Sequence, residues 1–206
     1  MPHPSLPAPF ESRFAGLQEL AYTGPGTRFH ECFGCGPSHD IGLRVRTYRG
    51  DGEVLSPIVI PKRFEGPPKG AHGGIVAAYL DEVMSGAAVN HTGRIHVTGE
   101  LSVRYVRLTP VERPLLGRGR AVKQAEKYLV LEGTLEDLET GEVVAKATGR
   151  FFPMPDGPTP DASRMLENPQ AAQKGPDARR RPRPQAGEKG PDARRRAAVQ
   201  VERRLS

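Results

Sequence analysis

The apolar positions of this chain change period several times, and each change predicts an element. Phe10, Phe14, Leu17 and Leu20 recur at roughly helical spacing, which predicts a short helix over 10–20 behind a proline-rich extended arm at 1–9. Leu43, Val45 and Thr47 alternate with Arg44, Arg46 and Tyr48, and 54–60 is β-branched and apolar, so two strands are expected there. Residues 73–90 then run with Asp81 and Glu82 as their only charges, and a helix apolar on most sides is usually a buried one. The face carrying Asp81 also carries Gly74, Ala77, Ala78, Ser85 and Ala88, small residues that let another backbone approach closely. From residue 95 the period becomes two. Ile95, Val97, Gly99, Leu101, Val103 and Tyr105 fall on one strand face, and His96, Thr98, Glu100, Ser102 and Arg104 on the other. Further strands are expected over 116–124, 127–136 and 142–152, with a hairpin turn at 139–142.

Two strands, one long helix and about four antiparallel strands make an α+β pattern, in which a sheet wraps one buried helix. The segments 24–42 and 61–70 are rich in Gly and Pro and read as loops. Beyond residue 156 the apolar periodicity stops. The octapeptide at 174–181 recurs at 189–196, and two copies with a proline-rich spacer cannot bury a core, so 156–206 is expected to be a disordered tail. The tail alters the reading of charge. Residues 157–206 hold twelve Lys and Arg against six Asp and Glu, which accounts for the whole net charge of +6. The folded part is therefore neutral, without an overall bias toward nucleic acid or membrane; the arginine triplets offer the tail a purely electrostatic contact with nucleic acid.

No apolar run is long enough for a transmembrane helix, and 1–7 lacks the basic start and apolar stretch of a secretory signal. Two cysteines, Cys32 and Cys35, cannot make a disulfide scaffold, and their spacing suits a reducing compartment, so a cytoplasmic location is expected. With His30 and His39 they offer four nitrogen and sulfur ligands, but a single C-x-x-C is weak evidence for zinc. The expectation is a tight glycine-rich turn with small buried thiols and no metal. A thioredoxin-like redox pair would need a βαβ context, which is missing.

The chemistry centres on 71–81, where His72-Gly73-Gly74 opens the long helix and Asp81 lies two turns further in. First-turn N–H groups have no intrahelical partner and carry partial positive charge, so such an end can grip a carbonyl oxygen that becomes negative during attack. A carboxylate in the same helix can serve as base or nucleophile. His72 just before the helix suits a cap or brace better than proton transfer, and Glu82 faces about 100° away from Asp81. Arg104, Arg107, Arg118, Arg120 and Lys123 could meet phosphates, although charged strand residues need no such role.

The HGG-to-Asp segment, the preceding loop Phe64-Glu65-Gly66 and the strand around 97–105 resemble hotdog-fold acyl-CoA thioesterases of the PaaI-like, phenylacetic-acid-degradation type. Cys32-Phe33-Gly34-Cys35-Gly36-Pro37 with Ile41-Gly42-Leu43 is also similar to the start of many such proteins. The similarity covers about 29–152. It implies a hotdog domain over 29–155, a curved antiparallel sheet around one central helix, and homodimers or dimers of dimers with sites at the protomer interface. It also implies hydrolysis of an acyl-coenzyme A thioester without metal or separate cofactor. By position Asp81 activates water or attacks the carbonyl, the Gly73 N–H polarises it, and Thr98 orients water. His72 and Gly74 shape the substrate-binding turn. One departure stands out: many relatives place Asn or Gln where this chain has Gly66. The alternative is a non-catalytic hotdog protein that binds an acyl thioester or related ligand.

Overall fold

The structure, a computed structural model, describes residues 6–20 and 29–154. The expected disordered tail at 156–206, its repeats and its nucleic-acid contact lie outside the described residues, as does the start of the N-terminal arm. The elements are α1 (Ala8–Phe14), β1 (Tyr48–Arg49), β2 (Val54–Val59), a 3-10 turn (Lys62–Phe64), α2 (Gly73–Thr92), β3 (His96–Tyr105), β4 (Pro114–Gln124), β5 (Leu129–Asp137) and β6 (Val143–Pro153).

Six strands form one antiparallel sheet in the order β1-β2-β4-β5-β6-β3. Helix α2 connects β2 to β3, so the chain crosses the sheet and leaves β3 as the far edge strand, paired among the described residues only to β6. This is the hotdog architecture, with α2 as its filling. Leu80, Val83 and Met84 of α2 are fully buried against Leu115, Leu131 and Leu135 of the sheet. Each such burial stabilises by about 1.5–3 kcal/mol. The helix ends as its sequence dictates: Gly93 adopts φ 66°, and its N–H bonds the Val89 carbonyl at 2.8 Å.

The helix backbone meets the sheet at a glycine of β4. A Cβ on Gly119 would stand 2.7 Å from the Val83 carbonyl oxygen, which is backbone and cannot swing aside. Gly119→Ala should therefore lower stability by about 1–3 kcal/mol through overpacking. A urea unfolding midpoint equal to wild type would show that the helix can move away at little cost.

Three local expectations need correction. The first helix covers Ala8–Phe14, not 10–20, because the chain turns at Gly16, with φ +77°, and Glu19 then bridges to Tyr48. Phe10 and Phe14 are buried against Tyr48 and Leu116, whereas Leu115 joins the α2 core. Successive strand side chains point to opposite faces, so α1 covers the sheet face that α2 does not. The expected strand at 43–48 shrinks to Tyr48–Arg49, since Leu43 and Val45 instead bond the Phe33 and Gly34 carbonyls of the cysteine loop. Thirdly, β3 carries a register shift between Thr98 and Glu100, leaving Gly99 as an extra residue.

Candidate active site

His72 is the N-cap of α2: its Nδ1 accepts the Gly74 N–H at 3.1 Å, and its carbonyl accepts from Ile75 and Val76. That bond engages Gly74 within the turn, so Gly74 contributes conformation and not a donor. Among the described residues no acceptor takes the Gly73 N–H, which stands at the positive end of a 20-residue helix. The Gly73 carbonyl accepts the Tyr105 hydroxyl at 2.8 Å, tying the helix mouth to the end of β3.

Asp81 is half-buried on α2, and the Thr98 hydroxyl donates to its Oδ1 at 2.6 Å. Burial raises the Asp81 carboxyl above the ordinary carboxylate range, and the Thr98 bond, which favours the charged form, partly offsets this. A carboxylate raised in this way is a stronger base once ionised.

The bulge at Gly99 makes this arrangement possible. Thr98 and Tyr105 are seven positions apart, so an unbroken strand would point them to opposite faces, as the alternation in the sequence implies. The extra residue reverses the parity, and both hydroxyls reach α2. Tyr105 thus joins the candidate site, although the alternation in the sequence set it on the other face from Thr98. The glycine inside a strand pattern was the available signal.

The turn before the helix explains the missing amide. A side chain on Gly66 would meet the His72 backbone, with Cβ 2.9 Å from the His72 Cα. The Gly66 N–H bonds the Gly70 carbonyl, and the His72 N–H bonds the Phe64 carbonyl. This loop has been built around the absence of a side chain at 66.

Not all candidates meet. Eight residues separate Gly73 from Asp81, which at 1.5 Å per residue places them about 12 Å apart along the helix axis. One chain cannot bring that N–H and that carboxylate to the same carbonyl. Arg107, Arg118 and Arg120 are ion-paired with Glu142, Glu136 and Glu132 respectively, at 2.9, 3.1 and 2.9 Å. Glu82 turns away from Asp81 toward the cysteine loop. Its Oε1 lies 3.9 Å from Cys32 Sγ. Burial together with the nearby Cys32 pushes the Glu82 carboxyl up to about 8. The Cys35 thiol and the N–H groups of Cys35, Gly34 and Gly36 pull Cys32 down, while hydrogen bonding to Cys32 and burial push Cys35 up. The zinc quartet weighed from the sequence does not assemble. His39 Nδ1 accepts the Ile41 N–H at 3.3 Å and its ring packs edge-on against Phe33, while His30 lies 3.8 Å from Glu31.

Residues 70–144, from the strand-like turn before α2 through the start of β6, match the family described as the thioesterase superfamily. A protein from Bacillus halodurans whose crystal structure contains CoA is 33% identical over 52% of this chain and 70% of its own, with a TM-score of 0.45. The chain belongs to the thioesterase superfamily. A crystal structure of another thioesterase superfamily protein is 28% identical, with a TM-score of 0.54, and the match spans 60% of each chain. A phenylacetic acid degradation-related protein from Ralstonia eutropha JMP134 is 26% identical over 53% of this thioesterase-superfamily chain and 85% of its own, with a TM-score of 0.47. No curated protein matches it. The family match includes Gly73, Asp81, Thr98 and Tyr105. Among the described residues, no helix is long and apolar enough to cross a membrane.

Proposed function

We propose that this protein hydrolyses an acyl-coenzyme A thioester, of the PaaI-like kind, at a site completed by two copies of the chain. The observation that carries the reading is the half-buried Asp81 carboxylate, gripped by Thr98 at 2.6 Å inside the segment that matches the thioesterase superfamily. Asp81 removes a proton from water as the water attacks the carbonyl carbon, or attacks that carbon itself to give an anhydride that water then opens. The Thr98 hydroxyl donates to Oδ1, leaving its own lone pairs to orient water. The Gly73 N–H receives the developing oxyanion. Coenzyme A leaves as a thiolate, whose conjugate acid has a pKa of about 8.5 for a simple thiol, so departure needs no strong general acid.

A second copy supplies what the 12 Å gap (roughly eight residues of helix) denies to one chain. Strand β3 is a ten-residue edge with Val97 and Tyr105 about half exposed, beside exposed Phe152 of β6. A long edge with unpaired N–H and C=O groups and apolar side chains invites pairing with another such edge. The proposed homodimer sets Asp81 of one protomer against the Gly73 mouth of its partner.

The test is a panel of aryl-acyl, short-chain and medium-chain coenzyme A esters, followed by thiol release. Turnover of at least one ester supports the reading. Ligand-induced thermal stabilisation with no thiol release would favour the binding-only alternative. Thr98→Val supplies a second check. Without the hydroxyl the Asp81 carboxyl rises further, and because the base works only when ionised, the acid limb of kcat/KM against pH should move to higher pH. An unmoved acid limb would remove Thr98 from the site.

A further inference from the structure

The cysteine loop and α2 meet at a second constellation, separate from the Gly73, Asp81 and Thr98 groups. Cys32 Sγ, Cys35 Sγ and a Glu82 carboxylate oxygen all lie within 4.8 Å of one another. Cys35 is buried and the other two are half-buried. Cys32, Cys35 and Asp81 stand near the Glu82 carboxyl, and among the described residues no Lys, Arg or His pairs with it.

We propose that Cys32, Cys35 and Glu82 bind a thiophilic divalent cation, zinc in the first instance, which clamps the 29–43 loop to helix α2. With metal–sulfur distances of about 2.3 Å and metal–oxygen of about 2.1 Å, tetrahedral geometry puts neighbouring ligand atoms about 3.6–3.8 Å apart. The 3.9 Å between Cys32 Sγ and Glu82 Oε1 is about 0.3 Å longer than the sulfur–oxygen edge. The other two separations are at most 4.8 Å.

The loop is shaped for this purpose by its glycines. A Cβ on Gly34 would overlap the Glu82 carboxylate, and one on Gly36 would overlap the Cys32 backbone. The Gly36 N–H closes the turn on the Cys32 carbonyl at 2.8 Å, and the N–H groups of Gly34, Cys35 and Gly36 converge near Cys32 Sγ. Such N–H groups stabilise a coordinated thiolate. Leu43 and Val45 hold the loop from its other side. The Cys-x-x-Cys spacing supplies two adjacent ligands of a tetrahedral site, Glu82 a third, and water a fourth. Binding displaces whatever protons the two sulfurs and the Glu82 carboxyl still carry, and these pass to solvent. A disulfide is the competing use of the pair, but it would leave the Glu82 carboxylate with no cation and no role.

The test uses the full chain, purified without chelator and free of any histidine tag. The expected zinc content is about one equivalent per chain, and cobalt(II) replacement should give a thiolate-to-cobalt charge-transfer band with intense tetrahedral visible bands. Glu82→Gln should weaken cobalt affinity by at least about tenfold and shift the visible bands, since even an outer partner of a metal ligand is worth that much. Cys32→Ser and Cys35→Ser should diminish the charge-transfer band, whereas His30→Ala and His39→Ala should leave it unchanged. The wild-type cobalt spectrum decides the matter if a cysteine variant does not fold. Protein that takes up no zinc at micromolar free metal, a spectrum indifferent to Glu82→Gln, loss of the band in either histidine variant, or a Cys32–Cys35 disulfide in anaerobically isolated protein would each overturn the proposal. None of these readouts needs a substrate, so the clamp and the hydrolase reading stand or fall apart from each other.

Discussion

Asp81→Asn should lower kcat by about 10²–10⁴ while leaving the unfolding midpoint close to wild type. The replacement keeps the shape and still accepts the Thr98 hydroxyl bond of 2.6 Å, so the local packing persists. What disappears is the negative charge, and with it both proton abstraction and nucleophilic attack. Because burial raises the carboxyl of Asp81, the neutral amide removes an electrostatic burden from the folded state and should not destabilise it. Parallel thiol-release kinetics and thermal unfolding check both halves. Turnover within threefold or so of wild type would remove Asp81 from the chemistry, since general acid–base catalysis of this kind accounts for far more than that.

The second large effect concerns the helix mouth. Gly73→Pro deletes one N–H and little else: position 73 begins α2, where proline is well tolerated, and the φ of −61° and ψ of 135° at His72 suit a residue preceding proline. Gly73→Ala is the matched control, since it keeps the N–H and adds the same Cβ, 3.3 Å from the Tyr105 hydroxyl. Loss of a single oxyanion donor should make the proline variant about 10²–10³ slower than the alanine variant. Mixing Gly73→Pro with Asp81→Asn then tests the shared site. If each site draws its N–H from one protomer and its carboxylate from the other, a mixed dimer pairs both intact groups at one site and both defects at the other. Activity should reappear on subunit exchange at about a quarter of the wild-type level, because half the dimers are mixed and each has one working site. Two dead variants that remain dead when mixed, with exchange verified, would place both groups of a site on one chain.

Much of the architecture was legible in the sequence. The nearly uncharged run beginning at Gly73 and the period-two stretches beyond it foretold α2 and β3 to β6 close to their observed bounds. Turn chemistry did the same at Gly141, where φ is +72° and the Gly141 N–H bonds the Asp137 carbonyl. These are local properties, set by which neighbours share a face and which residues tolerate a left-handed backbone. The candidate pair of Gly73 and Asp81 was legible for the same reason, since a motif within one helix carries its own spacing. That spacing also separates the two groups, and only the rise of the helix in three dimensions turns the motif into an argument for two chains.

Other features depend on contacts between residues far apart in the chain, and period alone cannot report them. Gly99 slips the β3 register by one residue, bringing Thr98 and Tyr105 to one face although their numbers differ by an odd count. Glu82, the sequence neighbour of Asp81, comes together with Cys32, fifty residues earlier, because helix and loop pack together. Gly66 is a glycine because the returning chain places the His72 backbone against it. The elements, their order and the helix that bears the candidate chemistry follow from propensity and periodicity over a few residues, and so could be read before any fold was known. Which hydroxyls, thiols and carboxylates meet depends on sheet order, a bulge and close backbone approach, and these are settled by packing between distant segments.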